Sequence, residues 1–320
     1  KYWQTTEHCR ELIAKKIGAQ ANEIFFIQNT SMGLNFAAKA LELKAGDNVI
    51  VSDMEFPSNI YPWLNLEQEG VEVRIVQTVN GRIPTEEIRN HMDARTRAVS
   101  LSWVIAANGS VTDIGAIGNI CRERGVTYII DGIQGLGQIP INVKDIDCDI
   151  FVSGFFKWMM GPDGIGFVYI RQEMLNRLGY PWLGWAGMKD KFNYSEFKID
   201  VFDGAKRYET GNMNFSALYG LEACLMFTDG WEETIRQRIC GLSGYLRNEL
   251  MKIDGIRILS DCTTLSGITL FSSDYIDKIS NDLKAAGYKF STRGGIRVSL
   301  HFYNCYEEVD GFIRTVKKVL

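Results

Sequence analysis

Lys157 stands in the run Phe155-Phe156-Lys157-Trp158-Met159-Met160, one ammonium group among aromatic and thioether side chains. Burial in such surroundings disfavours the charged form and leaves an amine able to attack a carbonyl carbon. The same run also suits a lysine whose stem lies on aromatic surface while its head stays in water. Asp131 closes the apolar run Val126-Thr127-Tyr128-Ile129-Ile130. A carboxylate there needs a partner, either loop amides or a cation such as a protonated pyridine nitrogen. Thr30 and Ser31 follow one apolar run and open a helical pattern. Their hydroxyls and the first amides of the helix converge, which suits a phosphate and equally suits simple capping. Arg297, in GGIRVSLHF, offers a two-pronged donor for a carboxylate, with Arg293 its rival and a surface strand arginine the plain alternative. GPDGIG (161–166) precedes a strand pattern instead of a helix and therefore reads as a tight turn, not as a phosphate loop.

These residues need a scaffold that brings them together. NEIFFIQN, GDNVIVSD, VEVRIVQT, TRAVSLSWV and VTYIID read as strands, and SMGLNFAAKALEL, SNIYPWLNLEQEG and DIGAIGNICRERG as helices between some of them. Short β-rich runs that read as buried on both faces and alternate with helices predict an α/β fold with a mostly parallel, doubly wound sheet. DIFVSG and GIGFVYI are joined only by the short loop FFKWMMGPD, which predicts an antiparallel pair and a mixed sheet. A long helical stretch from Phe215 to about Ile253 has a possible break at Gly230. Strands IRILS and SGITLFS, the helix DYIDKISNDLKAAG, strands around KFST and GIRVSLHF, and the helix YEEVDGFIRTVKKVL follow. They predict a smaller α+β domain over 231–320 after a large domain over 1–230. Ligands of open α/β sheets bind beyond the carboxyl ends of the strands. Those ends carry Asn29-Thr30-Ser31, Asp53 to Phe56, Ser102-Trp103, Asp131 with Gln134, and Ser153 to Lys157.

The 320 residues carry a net charge of -4 with no basic block, which argues against a nucleic-acid partner. No apolar run approaches membrane-spanning length. The seven cysteines form no C-x-x-C pair and the three histidines are too few for a metal cluster, so a cytoplasmic, reduced setting without a metal is expected, with nearly all cysteines buried as small hydrophobes. KYWQTTEHCRELIAKK is a charged amphipathic helix pattern that starts abruptly without an initiator Met, and residues are expected upstream of it.

The segments DGIQGLGQIP (131–140), SGFFKWMMGPDGIGFVY (153–169) and STRGGIRVSLHFYN (291–304) together resemble the class V aminotransferase family. That family includes cysteine desulfurases, isopenicillin-N epimerase-like proteins, kynureninases and cysteine C–S lyases. The resemblance covers essentially the whole chain. It implies the type I pyridoxal-phosphate fold, with a seven-stranded type of mixed sheet, and a homodimer with active sites at the subunit interface. By the same resemblance Lys157 matches the Schiff-base lysine, Asp131 the partner of the pyridinium nitrogen and Gln134 the donor to the cofactor's phenolic oxygen. Thr30 and Ser31 match the phosphate-binding pair, with Ser153 a third member. Phe56 falls where a ring stacks on the pyridine, and Asn212 where a neighbouring subunit touches the phosphate. Arg297 matches the substrate-carboxylate arginine, and Trp103 is placed with it on the substrate. Two departures narrow the chemistry. Desulfurases carry a nucleophilic cysteine on a loop just before that arginine, and here Ser291 runs through Arg293-Gly294-Gly295 to Arg297 without one. They also have histidine before the lysine, where this chain has Phe156. A transaminase acting on an amino acid is expected first, a C–S (β-elimination) lyase or an epimerase next, and a non-catalytic binding module is disfavoured.

Overall fold

The computed structural model describes residues 2–193 and 195–320. Its main sheet contains β1 (Ile24–Ile27), β2 (Asn48–Ser52), β3 (Glu72–Val76), β4 (Thr96–Ser102), β5 (Thr127–Asp131), β6 (Ile150–Gly154) and β7 (Gly166–Ile170), in the order β1-β7-β6-β5-β4-β2-β3. Every pairing from β3 across to β6 is parallel. β7 is antiparallel to both β6 and β1, so it alone runs against the other strands. The short Phe155–Ile165 connection forces that reversal, because a parallel return needs a longer crossover.

Alternate residues of each strand enter two separate cores. Ile24, Phe26, Ile50 and Phe151 face the first, which α1 (Tyr2–Ile17), α5 (Ile114–Arg124) and α6 (Phe215–Thr228) cover. Phe25, Ile27, Val49, Val51 and Val152 face the second, under α2 (Thr30–Ala40) and Trp63. The amphipathic N-terminal pattern is α1, and Arg10 fastens it. The buried guanidinium pairs with buried Glu209 at 2.9 Å and donates to the Ile24 carbonyl at 2.7 Å.

After the break at Gly230 comes α7 (Glu232–Met251). The proposed boundary at residue 230 falls in this break, while α7 itself feeds two cores. Ile235 and Ile239 belong to the first, whereas Leu242, Leu246 and Leu250 belong to a third. β8 (Ile256–Ile258), β9 (Ile268–Ser273) and β10 (Ile296–Ser299) form an antiparallel sheet in the order β10-β9-β8, with α8 (Ile276–Ala285) and α9 (Tyr306–Lys317). Each fully buried large side chain there, such as Phe271 or Leu246, contributes about 1.5–3 kcal/mol.

Three local expectations differ from the structure. SNIYPWLNLEQEG is not one helix but a 3-10 turn (Pro57–Asn59), a single α turn α3 (Tyr61–Leu64) and a second 3-10 turn (Asn65–Glu69). Pro62, which lacks an amide donor, cannot continue the preceding 3-10 turn and instead stands in the first turn of α3. The segment between β3 and β4 holds a further helix, α4 (Thr85–His91), entered from Pro84. KFST is not a strand. Tyr288 and Phe290 pack on the third core, and only Ser291 makes a bridge, to Arg297. Of the seven cysteines, Cys9, Cys121 and Cys148 are buried, Cys224, Cys240 and Cys305 are half-buried, and Cys262 is exposed. Among the described residues no helix is long and apolar enough to cross a membrane, and no cluster of three metal-ligating side chains occurs.

Candidate active site

The carboxyl ends of β1, β2, β5 and β6 open onto a cleft of about 820 Å³, whose opposite wall is the hairpin 291–297 and the end of β10. Its size suits a small organic cofactor with a substrate.

Asn29 caps α2 by accepting from the Met32 amide at 3.0 Å. Capping therefore does not occupy Thr30 or Ser31. Thr30 Oγ1 accepts from the Gly154 amide at 2.9 Å, and Ser31 Oγ lies 2.7 Å from Ser58 Oγ. These hydroxyls line the cleft beside the positive end of α2, an anion cradle by geometry.

Lys157 is half-buried and lines the cleft. Its Nζ lies 5.8 Å from the ring centres of both Phe56 and Phe156. Burial lowers its pKa and Arg297 adds to that, while Asp131 opposes it. The loop that carries it is closed by the Gly161 amide donating to the Phe155 carbonyl at 2.8 Å. Closure puts Met160 at φ 56°, a region that side-chain-bearing residues enter only under external constraint.

Asp131 is buried, and one of its oxygens accepts from the Ile133 amide at 3.0 Å. Burial raises its pKa to about 6 against that bond and the attraction of Lys157. Gln134 has a fixed polarity. Its Oε1 accepts from Trp158 Nε1 at 3.0 Å, so its Nε2 is left to donate into the cleft. Trp158 is clamped in turn, stacked on His301 with centres 5.2 Å apart and seated where a Cβ on Gly267 would come within 2.2 Å of its ring. His301 Nδ1 accepts from the Phe302 amide at 3.0 Å, which assigns the proton to Nε2, donating to the Trp158 carbonyl at 3.2 Å. Burial lowers the His301 pKa to about 4, so it is a neutral structural imidazole at neutral pH.

Arg297 Nη1 donates to the Ala106 carbonyl, and its buried Nε has no partner. Arg293 lines the same cleft from the tip of the hairpin.

The structure thus brings Thr30, Ser31, Phe56, Asp131, Gln134, Lys157, Arg293 and Arg297 to one cleft. It does not bring Ser153, Trp103 or Asn212 there. Ser153 is buried and donates to the Gly154 carbonyl at 2.9 Å. Trp103 is buried in the first core, its ring filling the space where a Cβ on Gly135 would stand. Asn212 is exposed on the loop ahead of α6, where a single chain gives it no partner in the cleft.

Glu55 is the residue that sequence reasoning left without a role, although it lies in the strand-end span 53–56. It accepts from Ser52 Oγ at 3.0 Å, the Ser102 amide at 3.0 Å, Ser102 Oγ at 2.5 Å and Asn59 Nδ2 at 2.8 Å. Burial raises its pKa to about 7 against these donors, and Asp131 repels it further. The one available signal was an acid flanked by Ser52 and Asn59 at loop spacing.

The donor set fits pyridoxal phosphate on the chain's own geometry. There is an anion cradle, a buried carboxylate with an oxygen to spare, an amide fixed to donate, and a desolvated amine between two rings.

Comparisons with known proteins agree with that fit. A family model described as "Aminotransferase class-V" matches residues 1–312. A probable cysteine desulfurase from Methanothermobacter thermautotrophicus is 28% identical over 98% of this chain and 83% of its own length. A cysteine desulfurase from Pectobacterium atrosepticum is 26% identical over 98% of this chain and 82% of its own length. Among solved structures, the apo cysteine desulfurase from Thermococcus onnurineus NA1 superposes with a TM-score of 0.91 at 22% identity, covering 99% of this chain and 84% of that one. The cystine C–S lyase C-DES in complex with cysteine persulfide superposes at 0.92 and 22% identity, covering 99% and 87%. These last two likenesses speak to the fold.

Proposed function

The chain belongs to the class V aminotransferase family, which works with pyridoxal phosphate, and from that premise we propose that it cleaves the Cβ–S bond of a cysteine-type amino acid. The observation that carries this reading is a cleft with Lys157, Asp131, Gln134 and Arg297 on its walls and no cysteine among the described residues that line it. Relatives matched along nearly the whole chain are named for acting on cysteine sulfur. Without a thiol in reach the sulfur is not captured by the protein and leaves with the product. The transamination expected as the family default has less behind it, since the two desulfurase relatives compared above are named for acting on cysteine sulfur and not for amino-group transfer.

Bound, the cofactor supplies the electron sink for the substrate's α-carbon. The rest falls to the chain. Thr30, Ser31 and the first amides of α2 hold the phosphate, and Phe56 covers a ring face. The free oxygen of Asp131 holds a proton at the ring nitrogen, and Gln134 Nε2 donates to the ring oxygen. Arg297 orients the substrate carboxylate. Lys157, its amine kept easily deprotonated by burial, takes the α-proton, a role worth about 10²–10⁴ in rate. A homodimer with Asn212 reaching the neighbour's phosphate belongs to the same proposal.

The test starts from the purified protein, expected to be yellow, with borohydride fixing the cofactor on Lys157 and on no other lysine. Cysteine or cystine should yield pyruvate with a reduced sulfur product, and Lys157→Ala should abolish this while remaining folded. A slow, oxo-acid-reversible conversion of the cofactor to its amine form with alanine, and no sulfur release from either substrate, would reject the lyase in favour of a transaminase.

A further inference from the structure

Two guanidinium groups face one cleft, and one amino-acid carboxylate does not need both. Ser291 and Arg297 close a hairpin by a reciprocal pair of backbone bonds, Ser291 N to Arg297 O at 3.0 Å and Arg297 N to Ser291 O at 2.8 Å. Gly294 (φ 68°) and Gly295 (φ 147°) allow the chain to turn within it. Both arginines and Ser291 line the cleft from this one turn. Burial and Arg293 lower the Arg297 pKa, and no carboxylate opposes them. The acids that line the cleft, Glu55 and Asp131, lie on the strand-end wall and are engaged there by Ser102, Asn59 and the Ile133 amide. Two polar atoms of the hairpin are also buried without a partner, Arg297 Nε and Ser291 Oγ. Buried donors left unpaired are costly, so a ligand that pairs with them is favoured.

We infer that Arg293 and Ser291 form a second anion subsite beside Arg297, so that the substrate is a sulfur amino acid whose side chain carries its own carboxylate or other anionic group. This rests on the reading of Arg297 as the partner of the α-carboxylate. The hairpin fixes the main chain under both arginines, and the bond to the Ala106 carbonyl holds Arg297 before the ligand arrives. That limits the ordering cost on its side, while the exposed Arg293 reaches the ligand from the tip. A neutral side chain leaves the exposed Arg293 to water, and a dianionic substrate supplies a counter-charge to each guanidinium.

The experiment compares S-carboxymethylcysteine with S-ethylcysteine, near-isosteres that differ in one charge, as substrates of the holoenzyme. Glutarate and butyrate serve as unreactive ligands, titrated by calorimetry. A charge-assisted contact predicts a preference for the dianion of about tenfold to a hundredfold in kcat/KM and in Kd. Arg293→Gln should collapse that ratio, Arg293→Lys should keep part of it, and Arg297→Gln should weaken all four ligands together. Circular dichroism and the cofactor's visible absorbance check that each variant is folded and loaded. If Arg293→Gln lowers both thioethers alike, or changes neither, the inference is overturned, even if pyruvate is released and the lyase reading stands. If the glutarate preference is present and vanishes in Arg293→Gln while neither thioether yields pyruvate, the subsite stands and the lyase reading falls.

Discussion

Replacing Glu55 with glutamine tests the electrostatics of the cleft floor most directly. The carboxyl is buried, and its pKa rises from an ordinary 4.5 to about 7, because burial outweighs the donors of Ser102 and Asn59. An acid with a pKa above its unfolded value binds its proton more tightly when folded. Its contribution to stability is therefore complete below about pH 4.5 and is lost as the pH climbs through about 7. At about 1.4 kcal/mol per tenfold change in proton affinity, the loss comes to about 3 kcal/mol. Glutamine carries no titrating proton but brings an amide donor against Ser52 and Ser102 or against Asn59, a local mismatch of about 1–3 kcal/mol that does not vary with pH. Unfolding free energies from urea titrations of the cofactor-free proteins at pH 5 and pH 8 separate the two effects. Glu55→Gln should be the less stable protein at pH 5. Its disadvantage should shrink or reverse by pH 8, a swing of about 2.5 kcal/mol, since part of the linkage is already lost at pH 5. A difference between the two proteins that is the same at both pH values would refute the assignment of a perturbed carboxyl to Glu55.

Two further changes probe how the cleft is held. Arg10→Ala strands the buried Glu209 carboxylate without its cation and should cost about 3–5 kcal/mol in urea unfolding; a loss below about 1 kcal/mol would mean that water replaces the pair. Gly135→Ala would drive a Cβ to 2.1 Å from the Trp103 ring and should cost about 1–3 kcal/mol while weakening cofactor affinity through Gln134 next to it. Trp103→Leu in the same chain should recover part of that loss in equilibrium dialysis, and an additive pair of losses would disprove the contact.

The central strands were legible because β1, β2 and β5 to β7 are short, mostly apolar runs buried along their length, and the single reversed strand followed from one short loop. Lys157 and Asp131 were legible because a charge in an apolar run demands a reason. Trp103 and Ser153 misled because a strand end gives a position but not a side. On β4, Ser100 and Ser102 bond to Asn59 and Glu55, while Leu101 and Trp103 turn into the first core. Ser153 shares its side of β6 with Phe151, away from α2 and the Val152 face. Glu55 stayed hidden for a different reason. Its partners come from two strand ends and a 3-10 turn that the sequence suggested was one helix, so no periodic pattern joins them.

The clamp around Trp158 bears on how such a chain can vary. The indole ties Gln134 on the large sheet's side to His301 and Gly267 on the small sheet's side, immediately beside Lys157. A smaller ring at 158 leaves room for a side chain at 267 but frees the amide at 134 to flip. A different residue at 301 loses the stacking and unpairs the Trp158 carbonyl. Positions 134, 158, 267 and 301 therefore behave as one heritable unit. Substitutions among them are tolerable in concert, and lineages that altered one should carry compensating changes at the others.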